Sequence, residues 1–167
     1  ADSAPDLAGA ANELRARRGM APLPFEQLRP LVGSGARGMV GASLGVAPGH
    51  DDYESLKAEF LGLYEARLLM QTVVFPQMWP VLEVLQAHGL PWGIVTNKAL
   101  RLAAPLVQGL ALGQRSAVLI GGDTTPFAKP RPEPLLEAAR RISVDPIHCV
   151  YVGDDPRDIQ AGRAAGM

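Results

Sequence analysis

The chain has 167 residues, 16 Lys and Arg against 17 Asp and Glu, a formal net charge of −1, 47% hydrophobic and 5% aromatic content. The length suits one domain, or a core plus a small insert, and the balanced charge excludes a nucleic-acid footprint or a polybasic membrane patch. The few aromatics exclude a base-stacking platform, and one cysteine, Cys149, excludes an internal disulfide framework. Asp, Glu and Arg are interspersed through Ala1–Gly19, so no apolar signal core stands there. Nowhere do about eighteen apolar residues run unbroken, so no membrane partner is expected and the expected location is the cytoplasm.

In chain order, the first part reads as helices. Ala4–Arg18 follows Ser3, carries Pro5 in its first turn and spaces Leu7, Ala10, Ala11 and Leu14 helically; Gly19 stops it. Glu26–Leu31 is a short helix candidate. Gly33-Ser34-Gly35 marks a turn before a helix over Ala36–Leu44. Asp51–Leu69 places Tyr53, Leu56, Phe60, Leu63 and Arg67 on one stripe, with Asp51 and Asp52 at the positive end of the helix dipole. From Phe75 the texture changes. Three continuously apolar runs, Trp92–Val95, Ala117–Ile120 and Cys149–Val152, predict strands buried on both faces. Helical runs Trp79–His88, Leu100–Leu110, Glu133–Arg141 and Asp158–Ala165 separate them. This alternation predicts an α/β fold with a parallel sheet, whose chemistry belongs at the C-terminal strand ends.

Thr96-Asn97-Lys98 follows the first strand. Thr96 reads either as an ordinary helix N-cap or as part of an anion-binding helix terminus. Gly121-Gly122-Asp123 follows the second, and then Lys129, before prolines at 130, 132 and 134. The prolines stiffen the segment, so Lys129 reads either as a solvated loop lysine or as a charge aimed at a phosphate. Gly153-Asp154-Asp155-Pro156-Arg157-Asp158 follows the third. Two carboxylates about 5 Å apart repel by about 3 kcal/mol at an effective dielectric of about 20, which a hard cation relieves. An acid-rich helix start is the structural alternative. Hydroxyl, lysine and acidic cluster together suit phosphoryl transfer. No Gly-x-Gly-x-x-Gly follows a strand, which argues against a dinucleotide-binding module. His50, His88 and His148 have no metal-ligand spacing. Trp79, Trp92 and Cys149 read as packing residues.

These residues resemble the motifs of the haloacid dehalogenase superfamily: an apolar strand ending in Thr at Trp92–Thr96, a Lys before a Pro-rich helix start at Lys129-Pro130, and Gly-Asp-x-x-x-Asp at Gly153, Asp154 and Asp158. The segments Ile94–Lys98, Gly121–Asp123, Lys129–Leu136, Val152–Gly162 and Asp2–Leu7 are similar to phosphoglycolate phosphatase-like members. N-acetylmuramic acid 6-phosphate phosphatases share nearly all of this, including Gly35-Ala36-Arg37-x-Met39. The resemblance implies a Rossmann-like parallel sheet core with an inserted α-helical cap domain. The cap would span residues 4–72 and the core residues 73–167 with 1–3. It implies a Mg²⁺-dependent phosphatase of a small phosphomonoester, foremost 2-phosphoglycolate, acting as a monomer or homodimer through a phospho-aspartyl intermediate. Thr96, Lys129, Asp154 and Asp158 would be catalytic; Asp154 would be a direct metal ligand, and Asp158 and Asp155 would support the metal or orient Lys129. Thr96, Asn97, Lys98 and the cap residue Arg37 would bind substrate; for Arg37, a solvated surface arginine is the alternative. The nucleophile-bearing Asp-x-Asp-Gly-Thr motif is expected before Ala1, and a further strand and helix after Met167. The sequence therefore reads as a piece of a longer enzyme, expected to be inactive as these residues alone. A catalytically inactive relative that binds a phospho-ligand or a protein is the alternative.

Overall fold

The computed structural model describes residues 1–167. They form two compact units, Ala1–Phe75 and Pro76–Met167.

The first unit is helical. Helix α1, Ala4–Ala16, packs against α3 (Gly35–Leu44) and α4 (Tyr53–Glu65). Ala10, Ala11 and Leu14 are wholly buried, and the small alanines let neighbouring backbones come close. The expected Glu26–Leu31 helix divides into α2, Phe25–Leu28, and a 3-10 turn, Arg29–Ser34, with Pro30 at its start. Gly35, at φ 60°, turns the chain into α3, and Gly45, at φ 71°, ends that helix in the left-handed conformation glycine adopts without penalty. α4 is shorter than the Asp51–Leu69 stripe; the helix ends at Glu65, and the chain reaches φ 70° at Leu69.

Asp6, on α1, has no exposed surface and accepts four contacts. The backbone N–H of Gln71 donates to both its carboxylate oxygens (3.0 and 3.1 Å), and Thr72 donates to Oδ2 from its backbone (2.8 Å) and hydroxyl (2.7 Å). Beside them Asp2 and Val73 exchange backbone hydrogen bonds of 2.8 and 3.4 Å as an isolated antiparallel bridge.

The second unit holds α5 (Met78–Ala87), β1 (Gly93–Val95), α6 (Leu100–Gly109), β2 (Val118–Ile120), α7 (Glu133–Arg141) and α8 (Pro156–Ala164). β1 and β2 pair in parallel, with Gly93 opposite Val118, Ile94 opposite Leu119 and Val95 opposite Ile120. A parallel pair needs a crossover, and α6 lies in it. Val118, Ile120 and Ala138 form one apolar cluster, with Val95 and Ile142 against it; Leu135, Ala161 and Ala165 form a second, with Val95, Tyr151 and Met167.

The expectation of three strands buried on both faces is corrected. Gly93 is exposed, and Ile94 and Val95 are only partly buried. Cys149–Val152 forms no ladder with any neighbour. Side chains alternate along an extended chain. Here Tyr151 turns onto α7 and α8, while Val150 and Val152 are 88% and 83% exposed. No helix is long and apolar enough to cross a membrane.

Candidate active site

Val95, the last residue of β1, leads into Thr96. Thr96 is partly buried, and its Oγ1 accepts the backbone N–H of Lys98 at 3.1 Å, closing a local turn. It does not cap the next helix. The residue before α6 is Ala99, and the first amide of the helix, Leu100 N–H, donates to Asp123 Oδ1 at 2.7 Å. The N-cap reading of Thr96 thus gives way to Asp123, 23 positions downstream of Leu100. The loop after β2 lies tightly on the Thr96–Leu100 segment: Gly122 N–H donates to the Lys98 carbonyl at 2.8 Å, and any Cβ on Gly122 would collide with the backbone of Asn97.

Asn97 is exposed. It clamps the main chain of Lys129: Nδ2 donates to the Lys129 carbonyl at 2.9 Å, and Lys129 N–H donates to Oδ1 at 3.0 Å. Lys98, next in the chain, is pushed down to about 8 by burial.

The Lys129 side chain is only 9% exposed, and its ammonium donates to three oxygens. These are Asp158 Oδ1 at 2.8 Å, Tyr151 Oη at 2.7 Å and the Val95 carbonyl at 3.0 Å. An ammonium has three protons, so its donors are fully used. Burial works to lower its pKa, but the bonds to Asp158 and Tyr151 and the Asp158 charge outweigh that, and the net direction is upward. Lys129 therefore stays cationic at the end of β1. The reading of Lys129 as a solvated loop residue does not hold.

The three aspartates differ sharply. Asp158, in the first turn of α8, is buried, ion-paired to Lys129, and accepts Asp155 N–H at 3.2 Å. Gly153 lies so close that a Cβ there would strike the Asp158 carboxylate. Asp155 caps α8: it accepts Arg157 N–H at 2.9 Å and pairs with the Arg157 guanidinium at 2.8 and 2.6 Å. Hydrogen bonds from Arg157 hold its carboxyl well below the usual carboxylate range. Asp154 is exposed and makes no hydrogen bond or ion pair.

No three carboxylate, imidazole or thiolate side chains gather as a metal cage. Asp155 is paired with Arg157 and Asp158 with Lys129, whereas Asp154 has no hydrogen bond or ion pair. Mg²⁺ keeps several waters and takes one or two protein carboxylates. Asp154, exposed and without an ion pair, meets that demand.

Val95, Lys129 and Asp158 are thus joined by hydrogen bonds, with Thr96 next to Val95 and Asp154 in the loop that leads to Asp158. Arg37 belongs to the other compact unit, exposed in the first turn of α3 without a hydrogen bond or ion pair. An open hollow of about 550 Å³ lies beside α6 and β2 against Ala104, Val107, Gln108 and Leu119 and contains none of these residues. The residue that sequence reasoning missed is Tyr151. Its signal was present: a buried tyrosine in an aliphatic run needs a partner for its hydroxyl.

The family model for haloacid dehalogenase-like hydrolases matches residues 1–166. The chain is 48% identical over 169 aligned positions to a phosphoglycolate phosphatase of Xanthomonas campestris pv. campestris, covering 99% of this chain and 75% of that one. It is 38% identical to an N-acetylmuramic acid 6-phosphate phosphatase of Pseudomonas aeruginosa, with coverage of 99% and 73%. A haloacid dehalogenase-superfamily hydrolase of subfamily IA from Geobacter sulfurreducens superposes with a TM-score of 0.77 at 21% identity, covering 99% of this chain and 78% of that one, which speaks for the fold alone. With the end of β1, Lys129 and the Asp154–Asp158 loop arranged as described, the chain belongs to the haloacid dehalogenase-like hydrolases.

Proposed function

We propose that these residues serve a Mg²⁺-dependent phosphatase that hydrolyses a small phosphomonoester, foremost 2-phosphoglycolate. One observation carries the reading: the Lys129 ammonium is fixed at the end of β1, between the Val95 carbonyl and Asp158. A buried cation beside a hydroxyl suits an anionic head group, whose charge it neutralises as the phosphoryl group moves. Thr96 Oγ1 and the backbone amides after it orient the phosphoryl oxygens. Asp158 holds Lys129, and Asn97 fixes the backbone from which Lys129 extends. Asp154 would be the protein ligand of Mg²⁺, which supplies charge neutralisation at the phosphoryl oxygens when bound. An aspartate outside residues 1–167 attacks phosphorus, the alcohol leaves, and water hydrolyses the phospho-aspartyl bond. Lys98, on the same segment as Thr96 and Asn97, serves substrate binding with them.

The 48% and 38% relatives support two substrates in that order, 2-phosphoglycolate and N-acetylmuramic acid 6-phosphate. The test is turnover of both compounds by the full-length enzyme with and without Mg²⁺. Phosphate release from 2-phosphoglycolate at least tenfold faster is expected. Faster release from the muramic acid ester would reverse the substrate order. Absence of release from either would leave the inactive phospho-ligand-binding reading.

A further inference from the structure

Tyr151 lies in the extended Cys149–Val152 segment, where its neighbours Val150 and Val152 point outward. Its ring packs against the Leu135, Ala161 and Ala165 cluster. Its hydroxyl does not end in apolar surroundings. Oη lies 2.7 Å from Lys129 Nζ, 3.3 Å from the Val95 carbonyl and 3.3 Å from Asp158 Oδ1. Those two oxygens are also the other two partners of the ammonium. Four groups from four segments thus share one set of hydrogen bonds.

Proton bookkeeping fixes the roles. Lys129 has only donors, so the phenol oxygen must accept from it. The one phenolic proton is then free for Asp158 or Val95. The Lys129 ammonium stands over the ring as well, 5.3 Å from its centroid. Removing the hydroxyl would leave one ammonium proton without an acceptor in a pocket where the side chain is 9% exposed. The cation would then have to turn or admit water.

We infer that Tyr151 is a positioning residue for Lys129, its hydroxyl fixing the place of the ammonium charge that neutralises a phosphoryl group. This rests on the phosphatase reading of Lys129 above. The substitution that isolates it is Tyr151→Phe, which keeps the packed ring and removes the oxygen.

The experiment compares the full-length wild type, Tyr151→Phe and Lys129→Ala with 2-phosphoglycolate as probe. It also records the Lys129 ammonium signal by nitrogen-resolved NMR, assigned by its loss in Lys129→Ala. Expected for Tyr151→Phe is a kcat lower by about tenfold, the scale of one charge-assisted hydrogen bond, with KM within about twofold. The slowly exchanging ammonium signal of the wild type should be lost or shifted, with the melting temperature little changed. An unchanged kcat overturns the inference, and so does a lowered kcat with an unchanged ammonium signal. If Lys129→Ala itself turns over normally, the phosphatase role of Lys129 fails, and the inference falls with it. If Lys129→Ala is inactive and Tyr151→Phe is normal, only the inference fails.

Discussion

Asp158 and Asp154, four residues apart, illustrate what decides the role of a carboxylate. Asp158 is buried against Lys129, so Asp158→Ala leaves a buried cation without its counter-charge. Such a loss costs about 3–5 kcal/mol, and urea unfolding should show a drop on that scale. A change under 1 kcal/mol would mean that the pair adds nothing to the fold. Asp154 is exposed and makes no hydrogen bond or ion pair, so Asp154→Asn should leave stability within about 0.5 kcal/mol. Its Mg²⁺-dependent turnover should fall by at least a hundredfold in the full-length enzyme. Equal turnover by variant and wild type removes Asp154 as the metal ligand. Sequence spacing alone could not separate these aspartates. What distinguishes them is the reach of Lys129 and Arg157, one distant in the chain and one adjacent.

At the scale of elements, α8 depends on its first turn. Asp155 accepts the backbone N–H of Arg157 and Asp158 accepts that of Asp155, which satisfies two otherwise orphaned amides. Asp155→Ala should destabilise the protein by about 1 kcal/mol. Because Arg157 lowers the Asp155 pKa, this contribution is complete above the unfolded carboxyl value of about 3.9 and disappears as pH falls through the folded value. The wild-type advantage over Asp155→Ala should therefore persist at pH 5; its loss there would show that the ion pair does not protect the cap. Most helices were legible because their apolar residues recur at helical spacing and Gly19 and Gly45 end them. Glu133–Arg141 matches its predicted bounds. The third strand was not legible. A run such as Cys149–Val152 says that a chain is extended and apolar but not whether a ladder partner stands beside it. The cap of α6 was hidden for a related reason: Asp123 reaches it from another loop.

At the scale of the molecule, the first unit is held by polar groups as well as by its alanine-rich packing. Tyr64, on α4, is almost wholly buried, and burial pushes its hydroxyl up to about 12, with the Asp6 charge adding and a bond to Ser3 opposing. The folded value is raised, so the stability is intact below the unfolded value near 10 and is lost as pH rises from 10 to 12. Two pH units correspond to about 3 kcal/mol. Unfolding free energies at pH 9 and 11.5 should differ by about 2 kcal/mol in the wild type and by less in Tyr64→Phe; equal slopes refute the assignment. Asp6→Ala removes the acceptor of the Gln71 and Thr72 amides and should cost about 3 kcal/mol, measured by urea unfolding. A melting curve like that of the wild type would show that water replaces the clasp. That strands come only after residue 75 was legible, since strand-like runs begin only there. The Asp6 clasp was not, because it joins residues 65 and 66 positions apart.

The Asp2–Val73 bridge carries a consequence for diversification. Both ends of the helical segment are sutured within one interstrand spacing, so everything between them can lengthen, shorten or change its decoration without shifting the suture.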